Sequence, residues 1–372
     1  PTQTHAIKSG LLSGKNLILS SPTASGKTLV ALIAAGMHIL TGKGKVIYLS
    51  PLKALASEKF HEFKLLKKIK KNNDIFISVN LATGDFDTSG NLFSNSDCII
   101  ATNEKMDSLI RQSPSWLNEI SLIIVDEIHL IHSLNRGPTL EMLITRLKKE
   151  LPNTQFLALS ATISNADEFS NWLNAKVISS QWRPVPLKEG VYLDKNMLYQ
   201  DGSIENIPDF SNNSAINMAI HTVQNQGQVI IFTKTRREAV SMSKKISSVI
   251  HNHDFTFKKQ NKSISYMKSK MSSTSEPNSI TNELISLIQN KTAYHHAGLT
   301  TNQRKTLEEE FKNGTIKILT ATPTLSAGIN LPSRNVIITY HDRYSMGQYE
   351  SISVFEYKQM AGRAGRPAYD EY

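Results

Sequence analysis

Short apolar runs recur along the chain, each followed by a polar turn and an amphipathic stretch. Asn16-Leu17-Ile18-Leu19, Val46-Ile47-Tyr48-Leu49, Cys98-Ile99-Ile100-Ala101, Leu122-Ile123-Ile124-Val125, Phe156-Leu157-Ala158-Leu159 and Val177-Ile178 read as buried strands. Ile75, Ile77, Val79 and Leu81 alternate instead, as a half-buried strand does. Leu29 to Leu40 predicts a packed helix, and Ala56, Phe60, Phe63 and Leu66 mark a second at helical spacing. Thr102-Asn103-Glu104 reads as a helix start. Pro138 suits the first turn of a helix through Leu140 to Leu147, and Ser164 to Leu173 predicts another. Gln181-Trp182-Arg183-Pro184-Val185-Pro186 then breaks the pattern with two prolines, which predicts a boundary between a domain over 1–182 and a domain over 183–372.

Tyr192 to Asn213 is polar and lacks strong periodicity. A second alternating series follows. Val229-Ile230-Ile231-Phe232 is a strand, Thr233 to Ile250 a helix, and Ala293 to Gly298 the end of another strand. Leu307, Phe311 and Asn313-Gly314 mark a helix with a glycine stop, and Ile316 to Leu319 and Val336 to Ile338 add two strands. His251 to Ser279 is rich in Lys, Ser and Asn and predicts a partly mobile surface insertion. The alternation of strands and helices predicts an α/β fold with mostly parallel sheets flanked by helices.

The chemistry sits where apolar runs end. Ser20-Ser21-Pro22-Thr23-Ala24-Ser25-Gly26-Lys27-Thr28 joins a strand to a helix, the setting of a phosphate-binding loop. Its backbone N–H groups and the helix N-terminus suit a phosphate chain. Lys27 adds a full charge at the β- and γ-phosphates, and Thr28 offers a hydroxyl to Mg²⁺. Ser21 stands where the standard pattern has its first glycine. The strand over 122–125 delivers Asp126-Glu127-Ile128-His129. There Asp126 can hold Mg²⁺ and Glu127 can orient and deprotonate a water, while His129 can bond to a lobe closing over the site. Ser160-Ala161-Thr162 places two hydroxyls at a neighbouring strand tip. Gln359-Met360-Ala361-Gly362-Arg363-Ala364-Gly365-Arg366 puts two arginines three apart, on one face if they open a helix.

Composition narrows the partners. The chain has 372 residues, 20% charged and 40% hydrophobic, and a net charge of +10, which favours a polyanionic partner. Lys64 to Lys71 is best read as a solvated face at a helix C-terminus. The single Cys98 excludes an internal disulfide and suits a reducing compartment, a cytoplasmic one. His295 and His296 lack further ligands at metal spacing, so no metal site is expected there. No apolar run is long enough to span a bilayer, so no membrane partner is expected. The sequence opens on Pro1-Thr2-Gln3 and stops just past a strong motif, and reads as a piece of something longer.

Taken together and in order, Pro22 to Thr28, Pro51-Leu52-Lys53-Ala54-Leu55, Asp126 to His129, Ser160 to Thr162, Tyr294 to Gly298, Thr320 to Pro332 and Gln359 to Arg366 resemble superfamily 2 DExH-box helicases. Within them the chain looks like the Ski-type branch and its archaeal Holliday-junction-migration (Hjm) DNA helicases. The resemblance runs from Gln3 to Arg366. It implies two RecA-like domains with an ATP cleft between them, and ATP-dependent 3′-to-5′ movement on single-stranded and forked DNA in repair or recombination. By the same resemblance Gln3 reads adenine, Thr23, Ser25, Gly26, Lys27, Thr28 and Gly328 contact the nucleotide, and Thr28 and Asp126 hold Mg²⁺. Lys27, Asp126, Glu127, Arg363, Arg366 and the supporting Gln359 form the catalytic set. Lys53, Thr102, Thr233, His296 and Thr322 line the strand path. A strand-separating hairpin is expected within 335–359, carrying Arg343 and Tyr344 and turning at Gly347. A winged helix and a helical ratchet domain of the family have no counterpart in the sequence, and a monomer is expected. Two other readings stay open: an RNA helicase of the same branch, and a nucleotide-gated clamp that binds strands without productive hydrolysis.

Overall fold

The computed structural model describes residues 2–22, 25–71, 74–84, 93–133, 136–161, 165–253, 264–271, 279–325, 331–345, 348–365 and 370, with backbone alone at 264–265, 268, 324, 343–345 and 355. Backbone proximity divides the chain into two compact units, Pro1–Pro184 and Val185–Tyr372.

The first unit runs α1 (Thr2–Lys8), β1 (Leu17–Ser20), α2 (Lys27–Leu40), β2 (Lys45–Ser50), α3 (Lys53–Phe63), β3 (Val79–Ala82), β4 (Cys98–Thr102), α4 (Asn103–Arg111), β5 (Ile120–Val125), α5 (Gly137–Glu150), β6 (Gln155–Ser160), α6 (Ala166–Leu173) and β7 (Lys176–Ser179). The seven strands form one parallel sheet in the order β3-β4-β2-β5-β6-β1-β7. Unbroken apolar runs are needed because both faces are covered. Ile18, Ile47, Ile99 and Ile123 pack on one side with Leu109, Leu143 and Ile144. Leu17, Leu19, Val46 and Ile100 pack on the other with Val30, Ala34 and Phe63. Cys98 is buried in that second layer, and burial raises its thiol pKa, so it behaves as a small core residue. The alternating stretch at 75–81 is only partly a strand. Ile75 is exposed and Phe76 makes an isolated bridge to Lys70, so pairing in the sheet starts at Val79.

The second unit runs β8 (Gly190–Leu193), β9 (Asn196–Tyr199), β10 (Ile204–Asn206), α7 (Ser214–Gln224), β11 (Val229–Phe232), α8 (Arg236–Asn252), α9 (Ile264–Met271), α10 (Ser279–Gln289), β12 (Thr292–His295), α11 (Thr301–Lys312), β13 (Ile318–Ala321), β14 (Asn335–Ile338), β15 (Asp342–Ser345), β16 (Gln348–Ser351) and α12 (Val354–Ala361). Its core is a parallel sheet in the order β12-β13-β11-β14, with β15 and β16 paired as a separate hairpin. α11 is closed at its start by a reciprocal capping box between Thr300 and Gln303, and stops at Gly314 with φ +75°.

Two expectations are corrected here. The stretch read as lacking periodicity holds an antiparallel ladder, β8-β9-β10, with Val191, Leu198 and Ile204 in one cross-strand row. Its strands have four residues or fewer, and that row faces outward, so no buried alternation advertises it. The turn between β8 and β9 places Asp194 and Lys195 at φ 47° and 66°, the geometry of a tight hairpin. The expected surface insertion is also not all surface. α9 lies within it and buries Met267 and Met271 beside Leu284 and Phe311.

Candidate nucleotide-binding site

Three neighbouring parallel strands, β1, β6 and β5, end side by side, with Ser20 paired to Ser160 and Val125 to Ala158. The C-terminal edge of such a sheet is where open α/β folds bind ligands. After β1 the chain turns through a loop and starts α2 at Lys27 without a side-chain cap. The first N–H groups of α2 therefore remain available to an anion. Ser21 and Ser25 are buried with their hydroxyls 2.8 Å apart. The serine in the glycine position thus closes the loop on itself. The Lys27 ammonium donates to the carbonyls of Ser21 (2.6 Å) and Pro22 (2.9 Å). Burial lowers its pKa, against the attraction of Glu127 and Asp126.

Gly26 has φ +88°, and a Cβ built there would lie 2.0 Å from Nε2 of Gln3. That amide donates to the carbonyls of Ser25 (3.1 Å) and, more weakly, Gly26 (3.4 Å). Gln3 is therefore packed against the loop by α1. Gly26→Ala is expected to lower stability by about 1–2 kcal/mol through the left-handed backbone alone, and to dislodge Gln3. Urea unfolding of Gly26→Ala, alone and with Gln3→Ala, checks both parts. No loss of stability would remove the strain argument.

At the tip of β5 the Asp126 carboxylate is buried and accepts from Tyr48 Oη at 2.7 Å and from the Glu127 N–H at 3.1 Å. Burial and the neighbouring Glu127 raise its pKa, while Lys59 and Lys27 oppose the rise. Burial and Asp126 raise the Tyr48 pKa further, so the phenol stays a donor. Glu127 has φ 51°, a left-handed conformation that costs a non-glycine residue about 1–2 kcal/mol and turns its side chain out of the strand direction. Oε2 of Glu127 lies 3.2 Å from Nε2 of His129, whose Nδ1 lies 2.9 Å from the Ser160 hydroxyl. His129 so connects two strand tips within the first unit.

Burial and nearby Lys27 push the His129 pKa down to about 4. Between that value and the ordinary ~6.5 the unfolded chain takes up a proton that the folded chain refuses. Stability should therefore fall as pH drops through this window, by up to ~3 kcal/mol, and recover above it. Asp126, with its raised pKa, acts in the opposite direction. The difference between wild type and His129→Gln in urea unfolding at pH 7 and pH 5 isolates the histidine. Equal pH dependence in both proteins would contradict its assignment as a neutral buried group.

Two residues here were not foreseen. Tyr48 is the polar tip within the apolar run Val46 to Leu49, and a buried phenol needs a partner. Lys59 shares a helix face with Ala56 and Phe63, so its stem lies toward the core. Its ammonium reaches Thr28 Oγ1 at 2.8 Å and Glu62 at 3.1 Å. Burial works against that charge, but attraction from Asp126 and Glu62 outweighs it and raises the pKa.

Four of the five expected strand-path residues, Thr102, Thr233, His296 and Thr322, also fall at strand tips, and Lys53 opens a helix. Thr102 pairs with Ser50 at the ends of β4 and β2, and caps α4 by accepting from Lys105 N. Lys53 opens α3 and is exposed beside Gly84. In the second unit Thr233, His296 and Thr322 directly follow the adjacent strands β11, β12 and β13. Thr233 Oγ1 donates to Thr235 O at 3.3 Å and, at 3.4 Å, to Ala321 O. His296 stacks on Tyr294 at 5.4 Å, and burial and Arg236 lower its pKa.

The arginine motif differs from its expectation. α12 carries half-buried Gln359 and ends at Ala361, with Gly362 as its C-cap, so Arg363 follows a helix rather than opening one. The span 335–359 holds more than a hairpin: β14 belongs to the parallel sheet, β15 and β16 form the hairpin, and α12 follows. Tyr344 pairs with Tyr349 across it, one residue from Arg343. Tyr349 is exposed, with the Lys234 ammonium 4.5 Å from its ring centre, and Lys234 also pairs with Asp342 at 2.9 Å. Thr23, Thr162, Gly328, Gly347 and Arg366 lie outside the described residues. A cavity of about 890 Å³ in the second unit, lined by Tyr192, Met197, Met218, Tyr340 and Tyr357, includes none of the expected site residues. Among the described residues no helix is long and apolar enough to cross a membrane.

Comparison with known proteins gives two family matches, DEAD/DEAH box helicase over residues 1–169 and helicase conserved C-terminal domain over 258–368. The chain is 42% identical over 371 residues to the ATP-dependent DNA helicase Hel308 of Pyrococcus horikoshii, covering all of this chain and 49% of that protein. The proteins of the same name from Methanocella arvoryzae and Caldivirga maquilingensis are 41% and 39% identical, again over all of this chain and over 50% and 48% of theirs. The chain spans about half the length of the curated relatives it matches. With both helicase domains matched in order, and Asp126-Glu127-Ile128-His129 at the tip of β5, the chain belongs to the superfamily 2 DExH-box helicases.

Proposed function

We propose that this chain is the ATP-hydrolysing core of a helicase that moves 3′ to 5′ on single-stranded and forked DNA. The observation that carries the reading is the convergence of the Lys27 loop, Asp126 and Glu127 on one edge of the first sheet. The names of the relatives support ATP and DNA as substrates.

In this reading Ser25, Gly26 and the start of α2 receive the phosphates, together with Thr23. Lys27 exchanges its two carbonyl partners for phosphate oxygens, a charge-assisted contact that is stronger than a neutral one. Gln3 pairs with adenine by releasing its hold on the loop, and Gly328 lies along the same nucleotide. Mg²⁺ suits the donor set. The Thr28 hydroxyl and the Asp126 carboxylate are hard oxygen donors, and the Lys59 ammonium at Thr28 already marks the spot as cation-seeking. The ion would neutralise charge on the β- and γ-phosphates. Glu127 takes the proton of the attacking water, held in place by its strained backbone and by His129. Arg363 and Arg366, supported by Gln359, act in the turnover step. Lys53, Thr102, Thr233, His296 and Thr322 follow the strand, and the β15–β16 hairpin with Arg343 and Tyr344 separates the duplex. Exposed aromatics such as Tyr349 suit stacking on a terminal base pair.

ATPase activity titrated with single-stranded DNA and with RNA of matched length tests the reading. DNA should stimulate turnover more than RNA, with apparent affinity falling steeply as salt rises. Stronger stimulation by RNA would transfer the chain to the RNA branch, and no turnover with either would leave a clamp.

A further inference from the structure

Lys59 sits in α3, six residues into the helix, yet its ammonium ends at the first turn of α2. Its side chain is 13% exposed and bridges Thr28 Oγ1 at 2.8 Å to the Glu62 carboxylate at 3.1 Å and 3.3 Å. Thr28 is also the hydroxyl that the reading above assigns to Mg²⁺. An ammonium and a divalent ion on one hydroxyl oxygen stand within a few ångströms of each other, and their like charges repel strongly at that distance.

We propose that Lys59 is a built-in competitor of the divalent cation: its ammonium holds the Thr28 hydroxyl, and the metal binds only by displacing it onto Glu62. The inference rests on the assignment of this loop to a metal–nucleotide complex. Glu62 is the residue that makes the displacement feasible. It lies one helical turn further along α3 and already shares the ammonium, so Lys59 keeps a carboxylate partner after leaving Thr28. The contact also links α2 to α3, so metal loading would remove this polar link while the apolar packing between the two helices stays. Lys59 is thus a positioning residue whose effect is read in metal affinity.

The test is Mn²⁺ binding without nucleotide, followed by the loss of the free-ion electron paramagnetic resonance signal. Wild type, Lys59→Met, Lys59→Gln and Lys59→Arg are compared. Met keeps the buried stem and removes the charge, Gln is a second neutral replacement should Met perturb folding, and Arg restores the charge. The neutral variants should bind Mn²⁺ at least about tenfold more tightly than wild type, because a like charge near the ion is gone. Lys59→Arg should resemble wild type. Equal or weaker Mn²⁺ binding by the neutral variants overturns the proposal. Binding of a fluorescent ATP analogue with Mn²⁺ in the same samples separates the two levels. No nucleotide binding in any of the four proteins overturns the loop assignment itself, whereas nucleotide binding with uniform Mn²⁺ affinity overturns only the role of Lys59.

Discussion

Glu127→Gln should bind ATP as tightly as the unaltered chain and turn it over about 10²–10⁴-fold more slowly. Glutamine keeps the size of the side chain and can still contact His129, so the left-handed backbone and the β5 tip are undisturbed. What it loses is the ability to accept a proton from water. The neutral amide also stops raising the pKa of Asp126, so that carboxylate becomes more fully ionised and the cation contact is not weakened. Binding and turnover therefore part company. Equilibrium binding of a fluorescent ATP analogue and single-turnover phosphate release measure the two separately. A rate within a few-fold of wild type would show that the base lies elsewhere.

Arg363→Ala should lower turnover by about 10³–10⁵-fold, the scale of an arginine that stabilises a phosphoryl transition state. The backbone around it is fixed. Its N–H donates to Met360 O at 3.1 Å and its carbonyl accepts from Ser333 N at 2.9 Å. Ala364 makes an isolated parallel bridge to Ser333. The planar guanidinium fork is pre-organised, so less entropy is lost per hydrogen bond when it engages an anion. Arg363→Lys should rescue little, because an ammonium lacks the planar fork. Binding of the ATP analogue should survive both changes, since the loop contacts belong to other residues, and Arg366→Ala should behave alike. Steady-state ATPase with saturating single-stranded DNA reads the effect. Unchanged turnover in Arg363→Ala would remove that residue from the chemistry.

The parallel sheets were legible because their strands are apolar on both faces, and a run such as Leu122-Ile123-Ile124-Val125 has no other comfortable place. The carboxylates at the end of that run were legible for the same reason: charge directly after a buried strand marks its exposed tip. The short ladder at 190–206 was not, because its apolar row faces outward and its strands are too brief for a period to register. Met267 and Met271 were hidden in a polar context, where two flexible thioethers supply the burial. Lys59 and Tyr48 escaped because each acts through one distal atom. Spacing along a helix or strand says which way a stem leaves the backbone, and not where its end arrives. The helix boundary before Arg363 was misread because Gly362 fits either side of a helix end.

Gly365, two residues beyond Arg363, has φ +84° and room for nothing larger, since a Cβ there would lie 2.8 Å from Cγ1 of Val185. Val185 is also the first residue of the second unit, immediately after the proline that closes the first. The tether arriving at this unit is therefore the wall against which the arginine turn leans. A side chain added at position 365 would therefore push against Val185 and displace the turn that carries Arg363.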